Sequence, residues 1–286
     1  MVASGTASYG EEIARIYPLE KLGALVTKSI TLKPRQGNPP YRVVETASGM
    51  LNSIGLQNVG MEEFCKKKLP FLRKAKVSIV VNIAAKRIED YAKLAACLSE
   101  ERGISGLELN VSCPNVKEGG LEFGTSPQCI TEIVKGVRRE TRLPIITKLS
   151  PNVTDIVSMA RAAMEGGSDA VSLVNTFLAM AVDTHRRKPV LSTVTGGLSG
   201  PAIKPVALRM VWQVYSALKC PIVGIGGIMT AEDAVQFMMV GATAIQVGTA
   251  SYVNPKAPLE ILEGLKTYAE KEKLKRLESC VGSLNV

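Results

Sequence analysis

Short apolar runs recur along the chain, and each is followed by a segment with helical spacing. The runs at 1–3, 24–28, 78–83, 106–110, 144–149, 170–175, 221–224 and 244–248 are read as strands. Most lack the alternation of polar and apolar residues that a half-exposed strand shows. That suits strands covered on both faces of a parallel sheet. Helical spacing fills the stretches 11–17, 61–74, 88–101, 127–140, 153–165, 205–217 and 231–240, and a last helix is read over 258–277. Local chemistry supports several of these ends. Thr230 offers an N-cap hydroxyl with the Asp233 carboxylate three residues on. Pro127 follows Ser126 near a first turn, where its missing N–H costs little. Gly166, Gly167 and Gly241 follow helical runs and suit C-caps. Strand followed by helix, eight times, predicts an α/β fold of the (β/α)8 TIM-barrel type, read as one domain over 1–286.

Two connections break this rhythm, at 29–60 and 176–204. Both leave from carboxyl ends of strands, the face on which barrel enzymes build their sites, so they are read as long active-face loops. The first strand begins at Met1 with nothing before it. This predicts either a bare barrel floor at that end or a start that lies upstream.

Composition narrows the function classes. Hydrophobic residues make up 46% and charged residues 21%, which suits a globular enzyme and excludes a disordered or fibrous chain. The formal charge of +9 is spread along the sequence without a recognition motif, so no nucleic-acid role is read from it. The cysteines Cys65, Cys97, Cys113, Cys129, Cys220 and Cys280 form no CxxC pair, and His185 is the one histidine. That argues for reduced thiols in a cytoplasmic protein and against a metal site in this chain. No signal peptide or membrane-spanning run is found.

Candidate chemistry gathers at predicted strand ends. Gly224-Ile225-Gly226-Gly227-Ile228 and Gly248-Thr249-Ala250 close the last two strands, the usual phosphate site of this fold. Gly196-Gly197-Leu198-Ser199-Gly200 adds a third flexible loop. Lys28 and Lys148 each end an apolar strand, where an ammonium needs an anionic partner. Asn82, Asn110 and Asn175 sit at strand ends, with Asn52 and Asn115 in loops; amides offer donor and acceptor to a flat heterocycle. Cys113, just beyond the fourth strand, is placed to act as a proton acceptor. His185 lies among Arg186, Arg187 and Lys188 and reads as a surface residue.

Together these segments resemble the dihydroorotate dehydrogenase family, over nearly the whole chain. The most specific stretches are Thr27-Lys28-Ser29-Ile30-Thr31 and Asn52-Ser53-Ile54-Gly55-Leu56-Gln57-Asn58. Asn110 through Asn115 with Gly119-Gly120, Lys148-Leu149-Ser150-Pro151-Asn152, Gly196 through Pro205 and the two late glycine segments complete the set. The resemblance is closest to the soluble class whose catalytic chain works with an iron–sulfur flavoprotein. It implies FMN held by Ser4, Lys28, Ser29, Asn82, Asn110, Lys148, Val174, Gly200, Gly226, Gly227, Gly248 and Thr249. It implies dihydroorotate held by Lys28, Asn52, Ser53, Ile54, Gly55, Leu56, Asn110, Asn175 and Thr176. Cys113 is implied as the base that takes the C5 proton, with hydride leaving C6 for the flavin and Lys148 offsetting charge on it. FAD and a 2Fe-2S cluster are expected on a partner subunit that passes electrons to NAD, in a heterotetramer built on a barrel homodimer. Two rivals stand beside this reading: a related flavin-dependent dihydropyrimidine dehydrogenase, and a non-redox phosphate-binding barrel. Membrane-associated members carry serine where Cys113 stands and an N-terminal extension; this sequence shows neither.

Overall fold

Seven strands hydrogen-bond side by side, all parallel, in the order Leu25–Val26, Ile79–Ile83, Ile104–Asn110, Ile145–Lys148, Ala170–Leu173, Ile222–Ile225 and Ala244–Gln246. The structure, a computed structural model, describes residues 1–112 and 123–285. The expected first strand is reduced to Val2, which bridges in parallel to Leu25 on one side and Val247 on the other. Ala3 donates to Val247 O at 2.9 Å, Val247 to Met1 O at 2.9 Å, and Val26 to Val2 O at 3.2 Å. These bonds close the sheet into the barrel.

Alternation along each strand sorts side chains between two cores. Leu25, Ile79, Val81, Leu107, Leu109, Ile145, Val171 and Leu173 join the large apolar core under the helices. The intervening residues point into the barrel. Ala3, Val223 and Ile225 pack there with Met1, Ile146 and Ala244, and Ala24, Val26 and Val80 pack against Met1 and Ile146. Toward the carboxyl ends the same inward positions become polar: Asn82, Glu108, Ser172 and Gln246 are all fully buried. The interior is thus a packed column with an apolar lower part and a polar cap, as expected for a barrel whose site lies at one end.

The helices follow the predicted spacing with local departures. Ser126 caps Pro127–Glu140, Asp155 caps Ile156–Gly166, and Thr230 with Asp233 forms a capping box at the start of Ala231–Met239. The Asp155 cap moves the start of its helix beyond the expected 153. The helix expected over 11–17 is a single 3-10 turn, Ile13–Arg15, because Pro18 disfavours helical backbone at the residue before it. Residues 60–74 are helical but contain a π turn at Phe64–Lys68; Pro70 has no N–H for the Lys66 carbonyl, and the wider turn absorbs the gap. The last helix ends at Lys271 rather than 277, with Lys273 in the left-handed region.

The two long connections are corrected most. Each was read as loop, yet they pair with one another. Val43–Thr46, Gly49–Asn52, Thr195–Ser199 and Phe177–Met180 form a four-stranded antiparallel sheet in that order over the mouth of the barrel. A small hairpin, Val182–Asp183 with Lys188–Pro189, extends from it and carries His185 at its tip.

Candidate active site

The barrel mouth and this covering sheet enclose a cavity of about 1320 Å³. Its base is made by strand ends. Lys28 and Ser29 follow Leu25–Val26, Asn82 lies in Ile79–Ile83, Asn110 ends Ile104–Asn110, and Lys148 ends Ile145–Lys148; all line the cavity. Val174, Asn175 and Thr176 follow Ala170–Leu173 and line it as well. One end is closed by Ser4, Gly200, Gly226, Gly227, Gly248 and Thr249. The roof brings Asn52, Ser53, Ile54, Gly55 and Leu56 over the same space. Every residue that the resemblance implies for FMN or dihydroorotate therefore lines one cavity, whereas Gly224 and Leu198 of the glycine segments do not; Cys113 lies outside the described residues, along with Asn115, Gly119 and Gly120.

The polar groups are held in set orientations. Ser29 Oγ donates to Asn82 Oδ1 at 2.6 Å, and Asn82 Nδ2 donates to Glu108 Oε1 at 2.7 Å. Glu108 Oε2 accepts from Gln246 Nε2 at 2.7 Å and from Ser172 Oγ at 3.1 Å. Of this network the sequence points to Ser29 and Asn82, but not to Glu108, Ser172 or Gln246. The available signal was position: Glu108 precedes Asn110 by two residues, so both face inward, and a lone carboxylate in an apolar strand needs donors. Asn175 Nδ2 donates to Ser112 Oγ at 2.9 Å and Asn110 Oδ1 at 3.3 Å, while Asn175 Oδ1 accepts from Thr176 N at 2.9 Å.

The roof is tied down in the same way. Asn38 Nδ2 donates to Ser53 O and Oγ, both at 3.0 Å, and Thr193 Oγ1 donates to Ser53 Oγ at 2.6 Å. Asn52 Nδ2 reaches Gly197 O at 3.3 Å across the covering sheet. Arg42 donates to Gln57 Oε1 at 2.7 Å.

Charge is unbalanced at the mouth. Lys148 is 7% exposed, and no hydrogen bond or ion pair to its ammonium is found among the described residues. The Lys28 ammonium is pushed below the usual lysine range, first by burial and then by the nearby Arg42 guanidinium, with Glu12 opposing. Three ammonium groups, those of Lys28, Lys86 and Lys148, line the cavity against the one carboxylate of Glu45 among the described lining residues, and Lys148 is buried with no anion among the described residues beside it, which suits an anionic ligand. At the glycine end, Gly226 and Gly227 have φ of 130° and 73°, and Thr249 Oγ1 donates to Ser199 Oγ at 2.8 Å. Among the described residues, no cluster of His, Cys, Asp or Glu could hold a metal ion, and no helix is long and apolar enough to cross a membrane.

A closed barrel with one polar, cation-bearing cavity at its carboxyl end defines a (β/α)8 barrel enzyme that takes an anionic ligand. The family model described as dihydroorotate dehydrogenase matches residues 1–268. The chain is 53% identical over 284 residues to the "dihydroorotate dehydrogenase B (NAD(+)), catalytic subunit" of Geotalea uraniireducens, spanning 99% of this chain and 93% of that one. It is 54% identical to the protein of the same description from Pelobacter propionicus, with the same coverage. For that of Alkaliphilus metalliredigens the figure is 51% over 284 residues, 99% of this chain and 94% of the relative. The chain belongs to the dihydroorotate dehydrogenase family.

Proposed function

We propose that this chain oxidises (S)-dihydroorotate to orotate with FMN bound in the barrel cavity, as the catalytic subunit of an NAD-linked enzyme of pyrimidine biosynthesis. The observation that carries the reading is Lys148, a buried ammonium with no side-chain partner among the described residues, in a cavity ringed by Asn82, Asn110 and Asn175. Family membership selects the chemistry. The cavity volume exceeds the roughly 300–1,000 Å³ of a single small-molecule pocket, which leaves room for a flavin and a pyrimidine together.

The residues present fit FMN. Gly226, Gly227, Gly248 and Thr249, with Gly200 and Ser4, would take its phosphate end; Ser29, Asn82, Asn110, Lys148 and Val174 would line its ring. When bound, FMN supplies the two-electron acceptor. The chain's own groups do the rest. Lys28 faces the substrate carboxylate, and an anion there offsets the burial and Arg42 repulsion that depress its ammonium. Asn110, Asn175 and Thr176 hold the amide edge of the pyrimidine from below, and residues 52–56 close over it from the roof. Cys113, as thiolate, removes the C5 proton; this role rests on its place in the sequence. Lys148 offsets negative charge on the bound ring system. A partner subunit carrying FAD and a 2Fe-2S cluster would supply the route for electrons to NAD, in a cytoplasmic heterotetramer built on a barrel homodimer.

The test is an anaerobic visible spectrum of the FMN-loaded chain. Dihydroorotate should bleach the flavin band, dihydrouracil should not, and Cys113→Ala should slow bleaching at least a hundredfold while FMN stays bound. An FMN-loaded chain that is not reduced by dihydroorotate would overturn the assignment. Lys28→Met should raise the KM for dihydroorotate far more than the Kd for FMN.

A further inference from the structure

Two turns meet at the glycine end of the cavity, and neither supplies the group that joins them. One turn, Gly226 to Thr230, follows the strand Ile222–Ile225; the other, Gly200 to Lys204, leads into the helix Lys204–Leu218. They are in close contact: a Cβ on Gly227 would lie 2.8 Å from Gly200 O and 3.0 Å from Lys204 N. Gly200, Ile203, Gly226, Gly227 and Met229 line the cavity, whereas Lys204 and Asp233 do not. Asp233 lies behind them. Its Oδ2 accepts from Met229 N at 2.9 Å and Thr230 N at 3.0 Å, and its Oδ1 is in a short contact with Lys204 Nζ. One carboxylate therefore holds two backbone N–H groups of one turn and the side chain that ends the other. Burial pushes the Asp233 carboxyl up, but Lys204 and the two N–H groups outweigh it and hold it below the usual range.

We infer that Asp233 is a positioning residue for the phosphate end of the cofactor cavity, its carboxylate buckling the Gly226–Thr230 turn to Lys204 and so fixing the glycine cradle. This rests on the reading, given above, that a phosphate sits at these glycines. A carboxylate this close to a phosphate dianion would repel it if left free. Here its charge is taken up by Lys204 and two backbone donors, so it organises the cradle at little electrostatic cost. An asparagine cannot replace it, because its Nδ2 would face a donor that now meets an oxygen. The alternative is a helix cap and nothing more. Thr230 separates the two, since its Oγ1 accepts from Asp233 N at 3.2 Å and serves the helix start without touching Lys204.

FMN and riboflavin differ only in the phosphate, so the ratio of their dissociation constants on the full-length chain, measured by flavin fluorescence, reports the cradle. The wild type should bind FMN at least a hundredfold more tightly than riboflavin. Asp233→Asn should shrink that ratio at least tenfold, chiefly by weakening FMN. Lys204→Met, which leaves the helix cap intact, should shrink it severalfold and serves if the first variant does not fold. Thr230→Ala should lower the Tm and leave the ratio unchanged. If Asp233→Asn and Lys204→Met weaken FMN and riboflavin in equal proportion, or all three variants behave alike, Asp233 is only a cap. If the wild type itself does not discriminate, the phosphate placement fails, and the buckle fails with it.

Discussion

Removing the Glu108 side chain should cost far more than a single hydrogen bond. The carboxylate is fully buried inside the barrel and accepts from Asn82, Gln246 and Ser172, which come from three other parts of the sheet. In Glu108→Ala the Ser172 hydroxyl can rotate toward another acceptor. The two amide N–H groups have less freedom, and each buried donor left unsatisfied costs about 1–3 kcal/mol. The expected loss is therefore about 4 kcal/mol, which lies within the ~3–5 kcal/mol typical of stripping the partner from a buried charged network. At about 2–4 °C per kcal/mol, the Tm should fall by roughly 10 °C. Glu108→Gln keeps one oxygen acceptor and turns an N–H toward a donor, so about 1–2 kcal/mol should be lost. Urea unfolding of the FMN-free chain by far-UV circular dichroism, compared at constant m, measures both. Because Asn82 shares the bond, Asn82→Ala combined with Glu108→Ala should cost less than the sum, by at least about 0.5 kcal/mol. A Glu108→Ala chain within about 1 kcal/mol of wild type would refute this account, because it depends on donors that cannot find another acceptor.

Lys148→Met should do the opposite to the FMN-free chain. It removes a buried ammonium that has no anion beside it among the described residues, so stability to urea should rise by about 1–3 kcal/mol while FMN affinity falls at least tenfold; a destabilised variant would show that Lys148 has a partner. Cys65 and Cys97 should differ in alkylation by iodoacetamide at pH 8.5, read by peptide mass spectrometry. Cys97 is exposed, whereas burial and then the Glu101 carboxylate push the Cys65 thiol up to about 11, so Cys65 should react at least tenfold more slowly. Gly197→Ala places a Cβ 2.0 Å from Thr176 Oγ1. The resulting overpacking of about 1–3 kcal/mol should raise the KM for dihydroorotate and leave FMN affinity within twofold; equal loss of both would mean that the barrel, not the roof, has moved.

The barrel was legible because its strands carry two-sided burial, which leaves unbroken apolar runs such as 78–83 in the sequence. Strand ends were legible for the same reason: Lys28, Lys148, Asn82 and Asn110 interrupt those runs, and their cost calls for a ligand or a network. The covering sheet was not legible. Its strands are short, Val43–Thr46 alternates exposed and half-buried positions, and the pairing that joins its two local hairpins spans about a hundred and fifty residues, as Asn52 pairs with Gly197. No local pattern encodes such a pairing; only the closure of the barrel brings the two segments together. Glu108 was missed because an isolated carboxylate in a run of apolar residues gives no hint of which distant donors will meet it. Gln246 and Ser172 become its partners only when the sheet curls.

That curl also explains how one interior holds charges of both signs without cancelling the site. Glu108 sits in the polar cap of the barrel column with three donors already on it, so its acceptor capacity is largely used within the protein. Lys148 reaches the cavity from the neighbouring strand, where Asn110 and Lys148 stand in register, and draws no partner from the described residues. Lys28 enters from another strand, with Arg42 in the roof adding to the positive field. The sheet thus satisfies its buried anion internally and leaves its cations facing the cavity. A neutral ligand would leave that imbalance in place. A ligand with an anionic group at the lysines would relieve it, which is the physical ground for the carboxylated substrate proposed above.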